Sequence, residues 1–156
     1  MSAPASESGF FPHSYFHVGM VVPDIDAAMA ELELTLGLRF NPPHESEYAG
    51  QRIRVAYALP GPPYFEVVQG TPGGFWDTAD GPRLDHVGYF SHDLDADVEK
   101  LVAAGLPLDI DGREFGARFS YHRSRHGGLR VELIDEPRRE GLLRTIHMEA
   151  GSRPVS

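Results

Sequence analysis

Apolar and polar positions alternate between two periods along this chain, and they do so twice in the same order. Residues 15–22 are almost wholly apolar and end at Pro23, the pattern of a buried strand. Ile25, Ala28, Met29, Leu32 and Leu36 then recur at helical spacing, behind an N-capping Asp24 and ahead of Gly37. A short apolar piece at 38–40 is stopped by Asn41, Pro42 and Pro43. Residues 52–59 alternate as a strand with one buried face, Pro60 to Pro63 force a turn, and residues 64–69 complete a hairpin. The glycine- and proline-rich stretch 70–82, around Phe75 and Trp76, reads as a linker. The order then returns, with a strand at 84–90, a helix at 93–104 capped by Asp93 and stopped at Gly105, and a short strand at 106–108. Strands at 118–123 and 129–135 flank the turn at Gly127 and Gly128. The pattern predicts an α+β fold of two paired β-α-β-β-β modules.

The text repeats as well as the pattern. Phe16-His17-Val18-Gly19, running into Pro23-Asp24-Ile25-Asp26, is answered by Asp85-His86-Val87-Gly88, running into His92-Asp93-Leu94-Asp95. An internal repeat fixes architecture before any single residue is interpreted. It predicts one domain over 15–136, with modules at 15–72 and 84–136 joined by a linker at 73–83. A polar, disordered tail at 1–14 precedes it, and a charged C-terminal extension at 137–156, with a short helix at 140–148, follows.

Each module carries a histidine early in its first strand and a glutamate in its last strand, Glu66 and Glu132, within otherwise apolar runs. A carboxylate in such a run is costly to bury unless something pairs with it. Under a pseudo-twofold relation His17, Glu66, His86 and Glu132 can converge on one point. Two imidazoles and two carboxylates suit a divalent Zn, Ni, Co, Mn or Fe ion, with positions left over for water or substrate.

Composition narrows the field further. The 156 residues include 14 basic and 23 acidic side chains, a formal charge of −9 that repels nucleic acid and anionic lipid headgroups. With no cysteine there is no thiolate metal site, disulfide or cysteine nucleophile. No run approaches the roughly 20 apolar residues of a membrane span, and the N-terminus lacks the basic start and apolar run of a secretory leader. The expectation is a soluble cytoplasmic protein with a small-molecule substrate and neither nucleic-acid nor membrane partners.

The paired His-Val-Gly strands, the two Asp-capped helix starts, Phe65-Glu66-Val67-Val68-Gln69 and Val131-Glu132-Leu133-Ile134-Asp135 together resemble the vicinal oxygen chelate superfamily. That superfamily includes glyoxalase I, methylmalonyl-CoA epimerase, bleomycin and fosfomycin resistance proteins and extradiol dioxygenases. The resemblance, nearest the glyoxalase and epimerase branch, covers about residues 15–136. It implies an open barrel-like cup around a divalent metal held by His17, Glu66, His86 and Glu132, and chains that form homodimers. It also implies isomerase, epimerase or lyase chemistry on a 2-oxo compound or acyl thioester, by proton abstraction next to a carbonyl. Glu132 is the first candidate base and Glu66 the second. The epimerase branch places a further glutamate just before the strand at 52–59, where this chain has Gly50 and Gln51, so Glu45 or Glu47 would have to substitute. Two alternatives stand beside this reading: an Fe(II) extradiol-type dioxygenase, whose two-histidine, one-glutamate site leaves Glu66 without a ligating role, and a non-catalytic small-molecule binding or resistance protein.

Further candidates surround the cup. Arg54, Arg118 and Arg130 lie on strands and suit a substrate carboxylate or phosphate; Arg54, Tyr57, Tyr121 and His122 are the candidate substrate-binding residues. Tyr121 and His122, being consecutive, face opposite sides of their strand, and one must point inward. Phe75 and Trp76 read as a lid or as a hydrophobic plug. His13, His44, His92 and His147 read as surface residues of loops and tails.

Overall fold

A computed structural model describes residue 10 and residues 14–148. Most of the tail expected at 1–14, His13 included, and the end of the chain from residue 149 lie outside the described residues. Among the described residues nine strands form one open sheet in the order β2-β4-β5-β1-β6-β9-β8-β7, with β3 also paired to β4, along Gln51 to Val55. The first module comprises β1 (Tyr15–Val21), α1 (Ile25–Leu36), β2 (Arg39–Phe40), β3 (His44–Tyr48), β4 (Gln51–Leu59) and β5 (Tyr64–Gln69). The second comprises β6 (Arg83–Ser91), α2 (Leu94–Ala103), β7 (Leu108–Asp111), β8 (Phe119–Arg123) and β9 (Arg130–Asp135). Each module closes on a parallel pair, β1 with β5 and β6 with β9, and the modules meet where β1 and β6 run antiparallel. That is the pseudo-twofold arrangement expected from the repeat.

Both helices begin where the capping aspartates stand: Ala27 N–H donates to Asp24 at 3.0 Å and Ala96 N–H to Asp93 at 3.1 Å, each satisfying a donor that has no intrahelical partner. Alternation along the strands then separates two faces. Outward residues meet the helices: Ile25 on α1 packs with Ala56 and Val67, and Leu94 and Val98 on α2 pack with Leu133. Inward residues form the main core, which includes Ile53, Val55, Val68, Trp76, Phe119 and Ile134.

Three elements depart from the expectation. Residues 44–48 form β3, which no apolar alternation announces, because its pairing is supplied by β4 through a complete antiparallel register from His44 opposite Val55 to Tyr48 opposite Gln51. The short strand expected at 106–108 begins at Leu108, since Leu106 N–H is used to close α2 by donating to Leu101 O at 2.9 Å and Pro107 has no N–H to offer. The segment past residue 136 is not peripheral: α3 (Arg139–Ile146) buries Ile146 completely and covers one side of the cup. The linker is also tied down, Phe75 N–H donating to Gln51 Oε1 at 2.7 Å, and Trp76 is a buried plug with 3% exposure.

Register at the module boundary brings the repeated text face to face. His17 lies opposite Gly88, and Gly19 opposite His86. A Cβ added at Gly88 would stand 2.2 Å from His17 Cε1, and one at Gly19 2.1 Å from His86 Cε1. Each glycine is therefore the seat of the other module's imidazole. Gly88→Ala is expected to force the His17 ring aside and to lower stability by about 1–3 kcal/mol, the usual cost of overpacking; urea unfolding measures it, and a variant as stable as the parent would contradict the close approach.

Candidate metal centre

Parity along the four central strands places the site. Glu66 on β5 lies beside Gly19 and Glu132 on β9 beside Gly88, so each glycine is flanked by the glutamate of its own module and the histidine of the other. Tyr57 on β4 lies opposite Glu66, and Tyr121 on β8 opposite Glu132. All four expected ligands meet at the floor of the cup. His17 Nε2 is 3.0 Å from Glu132 Oε2 and 3.7 Å from Glu66 Oε2, and His86 Nε2 is 3.1 Å from Glu66 Oε1 and 3.5 Å from Glu132 Oε2. The two Nε2 atoms stand 3.0 Å apart. The ligand atoms of His17, Glu66 and His86 all lie within 4.8 Å of one another.

The two histidines are held differently. His86 Nδ1–H donates to Asp85 Oδ2 at 2.9 Å, and Asp85 accepts in turn from the buried Arg130 guanidinium at 2.7 Å and from Arg83 at 3.1 Å. With Nδ1 committed, the neutral ring presents its Nε2 lone pair to the centre, the outer-sphere arrangement usual for metal-binding histidines. At the equivalent position before His17 stands Phe16, whose ring packs edge-on against the imidazole at 5.4 Å, and His17 Nδ1 is buried without a partner among the described residues. One ligand is oriented by a hydrogen bond, the other by packing.

Charge in this pocket is strongly coupled. Burial works to raise the Glu66 carboxyl, but His17 and His86 outweigh it, with a hydrogen bond from Tyr57 assisting, and hold it well below the usual carboxylate range. Burial likewise opposes the Asp85 charge, yet His86 and Arg130 bring it to about 2. Burial alone would lower His86; hydrogen bonds to Asp85 and Glu66, with the charges of Glu66 and Glu132, raise it to about 10. Tyr57 and Tyr121 are pushed well above the ordinary phenol value, first by burial and then by the glutamates beside them, and so remain neutral.

Two imidazole nitrogens 3.0 Å apart repel one another when both present lone pairs inward, and either a proton shared between them or a bound cation relieves it. The field that raises His86 so far favours positive charge at the same point. The donor set therefore fits a divalent cation held by two nitrogens and up to two carboxylates.

Above this floor the cup encloses about 520 Å³, within the usual range of small-molecule sites. Tyr57 and Tyr121 line it as expected; two other expected contacts do not. Arg54 lies on the outer face and forms an ion pair with Asp26 on α1 at 2.9 Å, because Ile53, Val55 and Tyr57 occupy the inward positions of β4. His122 is fully buried behind β8, its Nδ1–H donating to Leu106 O at 3.2 Å and its Nε2 lying 3.1 Å from Ser120 Oγ; burial lowers its pKa and keeps it neutral. Arg118 pairs with Asp135 at 2.7 Å. Conversely, His44, expected on the surface, lines the cup, its ring stacked on Tyr57 at 6.2 Å and 9°. Glu45 also lines it, though exposed, whereas Glu47 stands 60% exposed near Arg52.

The family model described as Glyoxalase/Bleomycin resistance protein/Dioxygenase superfamily matches residues 16–123, more than half of the chain. The chain belongs to this superfamily. Its structural relatives include methylmalonyl-CoA epimerase from Mycobacterium tuberculosis, 23% identical over 78% of this chain and 87% of the other, with a TM-score of 0.58. A variant of the Streptomyces coelicolor methylmalonyl-CoA epimerase in complex with 2-nitronate-propionyl-CoA is 18% identical over 78% and 96%, with a TM-score of 0.55. A triple variant of 4-hydroxymandelate synthase from Streptomyces coelicolor is 18% identical over 85% of this chain and 51% of the other, with a TM-score of 0.54. At these identities the likeness is one of fold. No curated protein sequence matches the chain. No helix among the described residues is long and apolar enough to cross a membrane.

The charge network of this superfamily member has a pH signature in the metal-free protein. His86 is raised from 6.5 to about 10, so its stabilisation is complete below 6.5 and disappears as pH rises through 10. Asp85 is lowered from 3.8 to about 2, so its stabilisation is complete above 3.8 and disappears as pH falls through 2. The two overlap fully between 3.8 and 6.5. Chelator-treated protein is therefore expected to unfold at higher urea near pH 5 than near pH 9, and His86→Gln should flatten the alkaline side; an unchanged midpoint would contradict the coupling.

Proposed function

We propose that this chain is a divalent-metal-dependent enzyme of the glyoxalase and epimerase type that removes a proton next to a carbonyl of a small oxygen-rich substrate, a 2-oxo compound or an acyl thioester. The observation that carries this reading is the convergence of His17, His86, Glu66 and Glu132 at the floor of a cup open to small molecules. These four residues would hold the ion, which when bound supplies Lewis acidity to draw charge from the carbonyl as the neighbouring C–H is broken. The Streptomyces coelicolor relative, in complex with an acyl-CoA analogue, supports the thioester class.

The two glutamates divide the work. Glu66 is fixed by His86 and by the Tyr57 hydroxyl, which suits a permanent ligand. Glu132 lies 3.0 Å from His17 and 3.5 Å from His86 and is the more exposed of the two carboxylates, which suits a carboxylate that accepts the substrate proton on one oxygen and returns it to carbon. Neutral Tyr57 and Tyr121 wall the reacting centre, and the aromatic lining limits water. The inward face of β4 offers Ile53, Val55 and Tyr57 and no carboxylate, and the substitute Glu45 lines the cup as an exposed residue of β3 rather than a buried one beside the floor. One-base isomerisation or lyase chemistry is therefore favoured over epimerisation by two opposed carboxylates. Burial of Glu66 against His86 weighs against an extradiol-type dioxygenase, in which that position has no ligating role.

Solvent deuterium exchange into 2-oxo acids and acyl thioesters tests the assignment. Glu132→Gln is expected to retain metal and lose at least about a hundredfold in exchange rate, the usual contribution of a positioned general base. Exchange that persists in Glu132→Gln would remove Glu132 as the base, and exchange by the parent that is unaffected by chelator would overturn the metal-dependent reading.

A further inference from the structure

The cup has a second polar end. Arg138, at the start of α3, lines the same cavity as His17, Glu66 and Glu132. It is the one lysine or arginine of the cavity lining, and it forms no ion pair among the described residues. The neighbouring arginines are engaged: Arg130 by Asp85 and Asp109, Arg139 by Glu136. Arg138 instead lies with its guanidinium 5.9 Å from the Phe119 ring centre and donates one long hydrogen bond, 3.4 Å, to the Tyr48 hydroxyl. Tyr48 accepts there and keeps its own O–H to donate.

A second observation points the same way. Trp76, 3% exposed, lines the cavity with its ring 6.2 Å from that of Tyr48, and its indole Nε1–H is buried without an acceptor among the described residues. The indole N–H thus lacks an acceptor, the guanidinium makes its long bond to Tyr48, and the Tyr48 hydroxyl has its O–H to donate. A buried donor left unmatched is costly, and a donor cluster of this kind fits an anionic oxygen group. Glu45, exposed, is the acidic residue of the lining outside the metal floor.

Position separates this cluster from the floor. Phe119 and Ile134 pair across β8 and β9 two residues along from Tyr121 and Glu132, about 7 Å at the usual strand rise. The lining also includes the apolar Ile53, Val55, Val68, Ile134 and Leu142, with His44, Ser46 and Thr145 as further polar members. The cavity therefore matches a molecule with oxygens at one end and a negative charge at the other.

We propose that Arg138 and the Tyr48 hydroxyl, with Trp76 beside them, form an anion subsite that holds a carboxylate of the substrate remote from the reacting carbon. This rests on the proposed metal-dependent function for the other end of the ligand. It adds a charge requirement to the substrate class: the 2-oxo compound, or the acyl group of the thioester, carries a distal carboxylate.

Calorimetric titration of the zinc-loaded full chain with two probe pairs tests it. The first pair is 2-oxoglutarate against 2-oxopentanoate, which lacks the distal carboxylate; the second is glutaryl-coenzyme A against pentanoyl-coenzyme A, which lacks it likewise. The member of one pair with the distal carboxylate is expected to bind at least tenfold tighter, and which pair shows the preference identifies the 2-oxo or the thioester class. Arg138→Gln should abolish that preference while leaving affinity for the member without the distal carboxylate unchanged, Tyr48→Phe should weaken it, and Arg138→Lys should restore part of it. Equal binding within both pairs, or a preference that survives Arg138→Gln, overturns the subsite. If that equal binding is still abolished by EDTA, the metal-dependent reading stands without it. A preference lost in Arg138→Gln but insensitive to EDTA retains the subsite and overturns the metal-dependent reading, and no binding of any probe overturns both.

Discussion

Two imidazole rings lying against two glycines across the β1–β6 boundary are the contact on which the rest of this structure depends. Because Gly19 and Gly88 have no side chain, His86 and His17 fold down over the opposite module's backbone and their Nε2 atoms come within 3.0 Å. The same two glycines leave room beside them for Glu66 and Glu132 on the flanking parallel strands. A single cross-module register thus seats four polar groups at the floor of an otherwise apolar cup. Burying them is unfavourable individually and tolerable only together, since each carboxylate faces an imidazole and each imidazole a carboxylate.

From that floor the structure departs from symmetry in a consistent direction. The second module supports its histidine with Asp85 and Arg130, whereas the first supports its own with Phe16. The first module adds β3, bringing His44, Glu45 and Tyr48 to the rim, and the chain past residue 136 adds α3, bringing Arg138. Repetition builds the centre, and elements outside the repeat shape what enters it.

The centre was legible because two signals coincided there: a repeated His-Val-Gly text, and carboxylates within apolar strand runs. Helix starts were equally clear from Asp24 and Asp93. Side-chain direction was less clear, though parity held part of the answer: Arg54 and Tyr57 are three apart and cannot share a strand face, so an inward Tyr57 already turns Arg54 outward. Tyr121 and His122 pose the same choice, decided by the pairing of Tyr121 with Glu132. The strand β3 was hidden because His44, Glu45, Ser46, Glu47 and Tyr48 show no apolar alternation and take their strand form from β4. Likewise, no local pattern shows that Ile146 is fully buried or that Arg138 reaches the cup, because both follow from where α3 packs.

The central claim is that one divalent ion is held jointly by both modules at this floor. Its most direct test is elemental analysis of the purified chain after reconstitution and exhaustive dialysis, in parallel for the parent, His17→Ala in the first module and His86→Ala in the second. The account predicts one ion per chain in the parent and near-complete loss in either single variant, because neither module's residues suffice alone. Retention of a full equivalent in either variant, or a parent that holds no ion, would contradict it.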